Sequence, residues 1–192
     1  MSLSAVLLAG GKSRRMGQDK ATMTFRGRPL WQHQLDVLRR LKPDKILVSA
    51  QVEPAWRPAD VNFVVDVQPA RGPLSGISAA LSRTASDHLL VLAIDMPFMT
   101  HDWLGKLCER IAPDLGIVPM IEDRAEPLAA IYPRTTANNF AGALAGTDFS
   151  LQSLLRDLIR AGKILPIPVS NGERAFFRNF NAPGDFSIAN CS

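Results

Sequence analysis

Leu89-Leu90-Val91-Leu92-Ala93-Ile94, followed at once by Asp95-Met96-Pro97, is the stretch that decides the fold. Six apolar residues without polar alternation describe a strand buried on both faces, as the central strands of parallel sheets are. A second strand of this kind, Ala5-Val6-Leu7-Leu8, ends in Ala9-Gly10-Gly11, and shorter apolar runs come later at Ile46-Leu47-Val48 and Phe63-Val64-Val65. Helical spacing lies between them. Trp31, Leu35, Leu38 and the adjacent Leu41 mark one helix face, with Trp31 expected in the core. Pro73 suits a helix start, with Ile77, Ala80 and Leu81 as its apolar stripe. Thr100 suits the cap of a further helix, with Leu104, Leu107 and Ile111 facing inward.

Strand–helix–strand alternation through residue 111 predicts a mostly parallel sheet with right-handed crossovers. The second half is more mixed. Strands are expected near 115–118 and 127–132, helices near 135–145 and 150–161, and short extended pieces at 163–169 and 176–180. An antiparallel strand or a subsidiary hairpin fits there. In sheets of this type a ligand binds outside the carboxyl ends of the strands, so the residues just after each apolar run are the ones to read for chemistry.

The size and composition narrow the classes. The chain has 192 residues, 46% hydrophobic and 21% charged, which suits one folded domain with a sizeable core. Residues 1–42 hold nine basic side chains against Asp19 and Asp36, while the rest of the chain is slightly acidic. Such a concentration of positive charge points to an anionic partner: nucleic acid, a membrane surface or a phosphorylated small molecule. No run approaches the roughly 18–20 apolar residues of a membrane span. The N-terminus is apolar first and basic afterwards, the reverse of a secretory signal. Cys108 and Cys191 stand far apart without a CxxC or Cys/His cluster. A disulfide framework and a structural zinc site are therefore not expected, and a reducing cytoplasm is the expected location.

Three features carry chemistry. The loop after the first strand reads Gly10-Gly11-Lys12-Ser13-Arg14-Arg15-Met16-Gly17-Gln18-Asp19-Lys20. Its glycines let backbone approach a ligand and aim amides at oxygens, and Arg14, Arg15 and Lys20 suit a polyphosphate. It is not a Walker A loop, because Val6 stands where the first glycine would be, and no GxGxxG occurs. Asp95, at the mouth of the central strand, suits Mg²⁺, which binds through one or two carboxylates plus substrate phosphates; an Asp there also suits a turn or a helix cap. Asp66 comes after the third strand and precedes Arg71-Gly72-Pro73-Leu74-Ser75-Gly76, where a helix N-terminus would present amides. Asp66 equally suits a turn, and Gly72-x-x-Ser75-Gly76 is not a nucleophile elbow. His33, His88 and His101 are scattered and read as ordinary residues, Arg39-Arg40 as a solvated helix face. No RNA-binding signature appears.

Together, Leu8-Ala9-Gly10-Gly11-x-Ser13-x-Arg15-Met16-Gly17-x-Asp19-Lys20 resembles the signature loop of the molybdenum cofactor guanylyltransferase family. The later motifs come in that family's order: Gly27-x-Pro29-Leu30, Gly72-Pro73-Leu74-x-Gly76-Ile77, Asp95-x-Pro97-Phe98, Glu126-Pro127-Leu128 and Phe180-Asn181-x-Pro183-x-Asp185. The resemblance covers residues 4 to about 186. It implies a Rossmann-like three-layer α/β nucleotidyltransferase fold with a mostly parallel central sheet, as a single domain over 1–192. It implies GMP transfer from GTP to molybdenum–molybdopterin, with release of pyrophosphate. Carried over by motif, Leu8, Ala9, Gly10 and Gly11 would meet the nucleotide and Lys20 the triphosphate. Arg15 would lie near the phosphates, Asp95 would bind Mg²⁺, and Asp66 would contact the nucleotide. Ser49 stands where relatives can carry Asn, and Asn179 and Asn181 would face the pterin. The attacking phosphate is already ionised, so no general base is required. The expected working form is a cytoplasmic monomer that meets cofactor-delivering proteins or molybdoenzymes, with no nucleic acid or membrane partner. The alternatives are a cytidylyltransferase for the same cofactor, a sugar-phosphate nucleotidylyltransferase, and a nucleotide-binding module without turnover. Relatives using CTP tend to read Leu-Ala-Ala-Gly where this chain has Leu8-Ala9-Gly10-Gly11, and they lack the Gly-Pro-Leu-x-Gly pattern.

Overall fold

A computed structural model describes residues 1–10 and 19–180. The central strand predicted from its unbroken apolar run is β6 (His88–Ala93), buried at every position. It pairs in parallel with β1 (Leu3–Leu8), which pairs in parallel with β4 (Lys45–Ala50), and β4 with β5 (Asn62–Val65). On the other side β6 runs antiparallel to β9 (Ala129–Pro133), which is antiparallel to β7 (Gly116–Ile121). β7 pairs in parallel with β10 (Ile164–Pro168) and carries the short β8 (Arg124–Ala125). The order is β10-β7-β9-β6-β1-β4-β5. A mostly parallel sheet with antiparallel pairing confined to the second half matches expectation.

The two faces of the sheet obey the two-residue period of its strands. Ala5, Leu7, Leu90 and Leu92 point into one core, which α1 (Leu30–Arg40) and α3 (His101–Cys108) cover with Leu35, Leu38, Leu104 and Leu107. Val6, Leu8, Leu89 and Val91 point into the other. That side is covered by α2 (Pro73–Arg83), α4 (Ala137–Ala145) and α5 (Leu151–Arg160), through Leu74, Ile77, Phe140, Leu155 and Leu158. Three layers result. Each buried Leu contributes roughly 1.5–3 kcal/mol, which is why the apolar runs show no polar face.

Local chemistry sets the helix starts. Pro73 occupies the first turn of α2 behind Gly72, whose φ of 64° aims the chain into the helix. The Thr100 side chain accepts from the Trp103 amide at 3.2 Å and caps α3. Ser150 caps α5 in the same way. Three expectations change, and one element is added. α3 ends at Cys108, so Ile111 lies beyond it, half-buried against the core. Residues 24–29 form a small hairpin, β2 (Thr24–Phe25) and β3 (Arg28–Pro29), turning at Arg26-Gly27, both with positive φ. Trp31 is half-buried, not core, and stacks on Trp56 with ring centroids 5.5 Å apart. The extended piece expected at 176–180 is preceded and partly replaced by a 3-10 turn, Asn171–Phe177. A reciprocal capping box between Ser170 and Glu173 holds it. Among the described residues no helix is long and apolar enough to cross a membrane.

Candidate nucleotide site

The register places the functional residues. Leu8 lies opposite both Ala93 and Ser49, and Ala50 lies opposite Val65, so β6, β1, β4 and β5 end level. The residues just past each strand therefore meet at one sheet edge. The connection from β1 runs through α1 on one face and the return to β6 through α2 on the other, leaving a crevice beside β1 where the winding reverses. There the chain forms a cavity of about 920 Å³, lined by Leu8, Ala9, Gly10, Lys20, Ser49, Asp66, Gly76 and Asp95 among others.

At one end lies Asp66, buried, accepting a short hydrogen bond from the Ser49 hydroxyl. Burial raises its pKa above the ordinary carboxylate value, and the Ser49 bond works in the opposite direction. The same Ser49 accepts through its carbonyl from the amides of Ala9 at 2.9 Å and Gly10 at 3.1 Å. Two glycines make room for the carboxylate. A Cβ on Gly10 would stand 2.6 Å from Asp66 Oδ2, and one on Gly76 would stand 2.7 Å from Ser49 Oγ and 3.2 Å from Asp66 Oδ1. The expectation that the Gly10 amide aims at ligand oxygens is corrected by this arrangement, since that amide closes the turn onto β4. The end near Asp66 instead offers a ligand an acceptor group.

At the other end Lys20 Nζ stands 3.7 Å from Asp95 Oδ2 and donates to the Phe180 carbonyl at 2.7 Å. Lys20 opens a 3-10 turn, Lys20–Thr22, capped by Asp19 Oδ1 accepting from the Ala21 amide. Asp95 lies just past the end of β6, and the Ile94 amide donates to the Leu8 carbonyl, tying the β1 and β6 exits together. Burial raises the Asp95 pKa, and the Lys20 ammonium opposes that rise. Both side chains stay 21–25% exposed, so they remain accessible from the cavity.

Asp95 fits a Mg²⁺ ion shared with a polyphosphate. It lines the cavity beside Lys20, and among the described residues no group of three or more His, Cys, Asp or Glu could hold a metal by protein donors alone. That donor set suits an ion bound by one carboxylate, waters and substrate phosphates.

Seven expected site residues thus come together: Leu8, Ala9, Gly10, Lys20, Ser49, Asp66 and Asp95. Asn179 is exposed, next to Phe180, and is not among the cavity's lining residues. Gly11, Arg15 and Asn181 lie outside the described residues. Sequence reasoning misses Gln51, Val52, Glu53 and Pro54, which line the cavity after β4; Leu128, known from the sequence only as a motif residue, also lines it, and its carbonyl accepts from the Ala93 amide at 2.9 Å. The same rule of looking past each apolar run, applied beyond Ser49, points to the first four. It also misses the Trp56 indole, which donates to Asp19 Oδ2 at 3.0 Å. His33 and His88 each donate through Nε2 to a backbone carbonyl, of Pro97 and Leu115, as structural residues do. Burial pushes the half-buried Cys108 thiol up to about 11.

A three-layer α/β fold with a basic turn, an acceptor carboxylate and a lone metal-suited Asp at its switch point defines a nucleotide-handling enzyme. The chain belongs to the family of the MobA-like NTP transferase domain, whose model matches residues 5–163. A probable molybdenum cofactor guanylyltransferase of Opitutus terrae is 35% identical over 187 residues, 96% of this chain and 93% of that one. The molybdenum cofactor guanylyltransferase of Xanthomonas euvesicatoria pv. vesicatoria is 32% identical over 185 residues, 96% of this chain and 92% of that one. Among solved structures, the molybdopterin-guanine dinucleotide biosynthesis protein A of Archaeoglobus fulgidus superposes with a TM-score of 0.75 at 26% identity. That match covers 97% of this chain and 96% of that one.

Proposed function

We propose that this nucleotidyltransferase moves GMP from GTP to molybdenum–molybdopterin, forming the guanine dinucleotide and releasing pyrophosphate. The observation that carries the reading is the meeting of Asp66, the Ala9-Gly10 turn and the Lys20–Asp95 pair in one cavity, in a chain whose relatives carry that activity in their names.

The residues divide the work by charge. Asp66 is an acceptor, and guanine offers the N1–H and 2-amino donors that match a carboxylate, whereas the corresponding edge of cytosine is dominated by acceptors. Ser49 holds both Asp66 and the Ala9-Gly10 turn in place, which makes its role orientation of the base pocket. Lys20 is the triphosphate contact, and Arg15, near it in the sequence, is assigned to the phosphates by motif. An oxygen of the terminal phosphate of molybdopterin attacks the α-phosphorus of GTP. The bond from that phosphorus to the β-phosphate oxygen breaks, and pyrophosphate leaves with the electron pair. The nucleophile is already an anion, so this chain needs no base. It needs alignment of two anions and positive charge beside the leaving group. Asp95 would hold Mg²⁺, which supplies further neutralisation of that charge when bound. Asn179 and Asn181 lie on the segment assigned to the acceptor side. The same reading takes the enzyme as a single domain, a cytoplasmic monomer that exchanges cofactor with partner proteins.

Incubation of the full chain with GTP, Mg²⁺ and molybdenum–molybdopterin tests this. Guanine dinucleotide and pyrophosphate are expected in equal amounts. GTP binding without either product would leave a nucleotide-binding module and overturn the proposal.

A further inference from the structure

Lys20 and Asp95 are separated by 75 positions in the chain, yet both are tied to a single residue that none of the roles above uses. The Phe180 carbonyl accepts from Lys20 Nζ at 2.7 Å, and the Phe180 amide donates to the Asp95 carbonyl at 2.9 Å. The side chain of Phe180 is only 3% exposed. It packs edge-on against Phe25 with centroids 5.6 Å apart and against Phe98 at 5.4 Å, and Phe25 and Phe98 meet each other at 5.7 Å. Each ring of this trio comes from a different segment. Phe25 stands five residues after Lys20, Phe98 three residues after Asp95, and Phe180 belongs to the C-terminal segment.

We propose that Phe180 is a positioning residue for nucleotidyl transfer. Its buried ring locks the C-terminal segment to the two segments that carry Lys20 and Asp95, and its backbone sets the placement of both. The Lys20 turn is joined to the rest of the fold through β2, and Asp95 through β6, so their separation is set across the fold and not within either segment. Three mutually edge-on rings restrain it alongside the direct 3.7 Å ion pair, because edge-to-face packing tolerates little displacement. A carbonyl aimed at an ammonium adds a direct restraint on Nζ. The inference rests on the functional reading above for its kinetic arm alone.

The test compares Phe180→Ala and Phe180→Leu with the wild-type chain. Pyrophosphate release is measured with GTP, Mg²⁺ and molybdenum–molybdopterin. GTP-binding stoichiometry is measured by calorimetry, and the rate of Lys20 acylation by peptide mapping. Phe180→Ala is expected to lower kcat at least tenfold, with KM for GTP changed less than threefold and full binding stoichiometry. Lys20 is expected to acylate several-fold faster while Lys42 and Lys45, both far from the C-terminal segment, do not change. Phe180→Leu, which refills part of the volume, is expected to fall between. Wild-type kcat and wild-type Lys20 labelling in Phe180→Ala would overturn the proposal. So would a loss of activity matched by an equal loss of binding stoichiometry, which a purely structural residue gives. If Phe180→Ala does not fold, Phe180→Leu and Phe98→Leu decide by the same two readouts, and wild-type values in both overturn it. If the wild-type chain releases no pyrophosphate, the functional reading fails, and the labelling rates still decide whether Phe180 restrains Lys20.

Discussion

At the residue scale the site is a set of charges held partly out of water. Burial raises the pKa of Asp95 more than Lys20 lowers it, and burial likewise raises that of Asp66. For a carboxyl whose folded pKa exceeds its unfolded one, the native state binds more protons between the two values. Stability therefore falls as pH rises through that window, and the cost of the charged form is fully present above it. Asp95→Asn is thus expected to raise Tm at pH 8, with the advantage shrinking as pH falls through the acid range, while turnover drops about 10²–10³-fold. A lower Tm at pH 8 would contradict the balance of burial over pairing. Lys20→Ala is expected to fold and to lose turnover on a similar scale, checked by circular dichroism and pyrophosphate release. Gly10→Ala places a Cβ against Asp66 Oδ2, on a carboxyl whose other oxygen the Ser49 hydroxyl holds. Overpacking of about 1–3 kcal/mol and weaker GTP binding are expected, read by thermal melts and calorimetry.

At the element scale, legibility tracks how local the cause is. The α2 start at Pro73 and the Thr100 cap of α3 rest on contacts within a few residues, and both are visible in the sequence. Thr100→Ala is expected to cost about 1 kcal/mol of stability, seen as a shift of the denaturant midpoint without change in GTP affinity. The Asn171–Phe177 turn is hidden because the adjacent aromatics Phe176 and Phe177 suggest extension. The Ser170–Glu173 capping box is a local signal for the turn, and Lys106 reaches Glu173 from α3 at 3.0 Å. Those partners hold the Glu173 carboxyl down at about 2, led by the Ser170 hydroxyl. Trp31 departs from expectation for the opposite reason: its helical spacing is correct, but its neighbour is Trp56, a loop residue with no periodic signal.

At the scale of the whole molecule, the parallel half of the sheet is readable because both faces of β1 and β6 are covered, which leaves long apolar runs with one polar residue near the start of each strand, Ser4 and His88. That half also supplies the ligand edge, so most of the site is readable with it: Asp66, Asp95 and Ala9-Gly10 each stand within two residues of a strand's end. The antiparallel insertion of β9 between β6 and β7 is open from sequence alone, since pairing partners far apart in the chain leave no local mark. The role of Phe180 is hidden for the same reason, lying 160 positions from the lysine it contacts. The concentration of basic residues in the first 42 positions resolves into separate uses. Lys20 lines the cavity, whereas Arg28 pairs with Asp36, and Arg39 with Asp36 and Asp60, at the surface.

This sheet edge, on the proposed function, reads guanine and transfers its nucleotide. The direct measurement is kcat/KM for pyrophosphate release by the full chain, with Mg²⁺ and molybdenum–molybdopterin, comparing GTP, CTP and ATP. The acceptor carboxylate of Asp66 predicts GTP ahead of both by at least about 10²-fold, the discrimination that one mismatched buried hydrogen-bonding edge supplies. Equal rates with all three, or a preference for CTP, would contradict it.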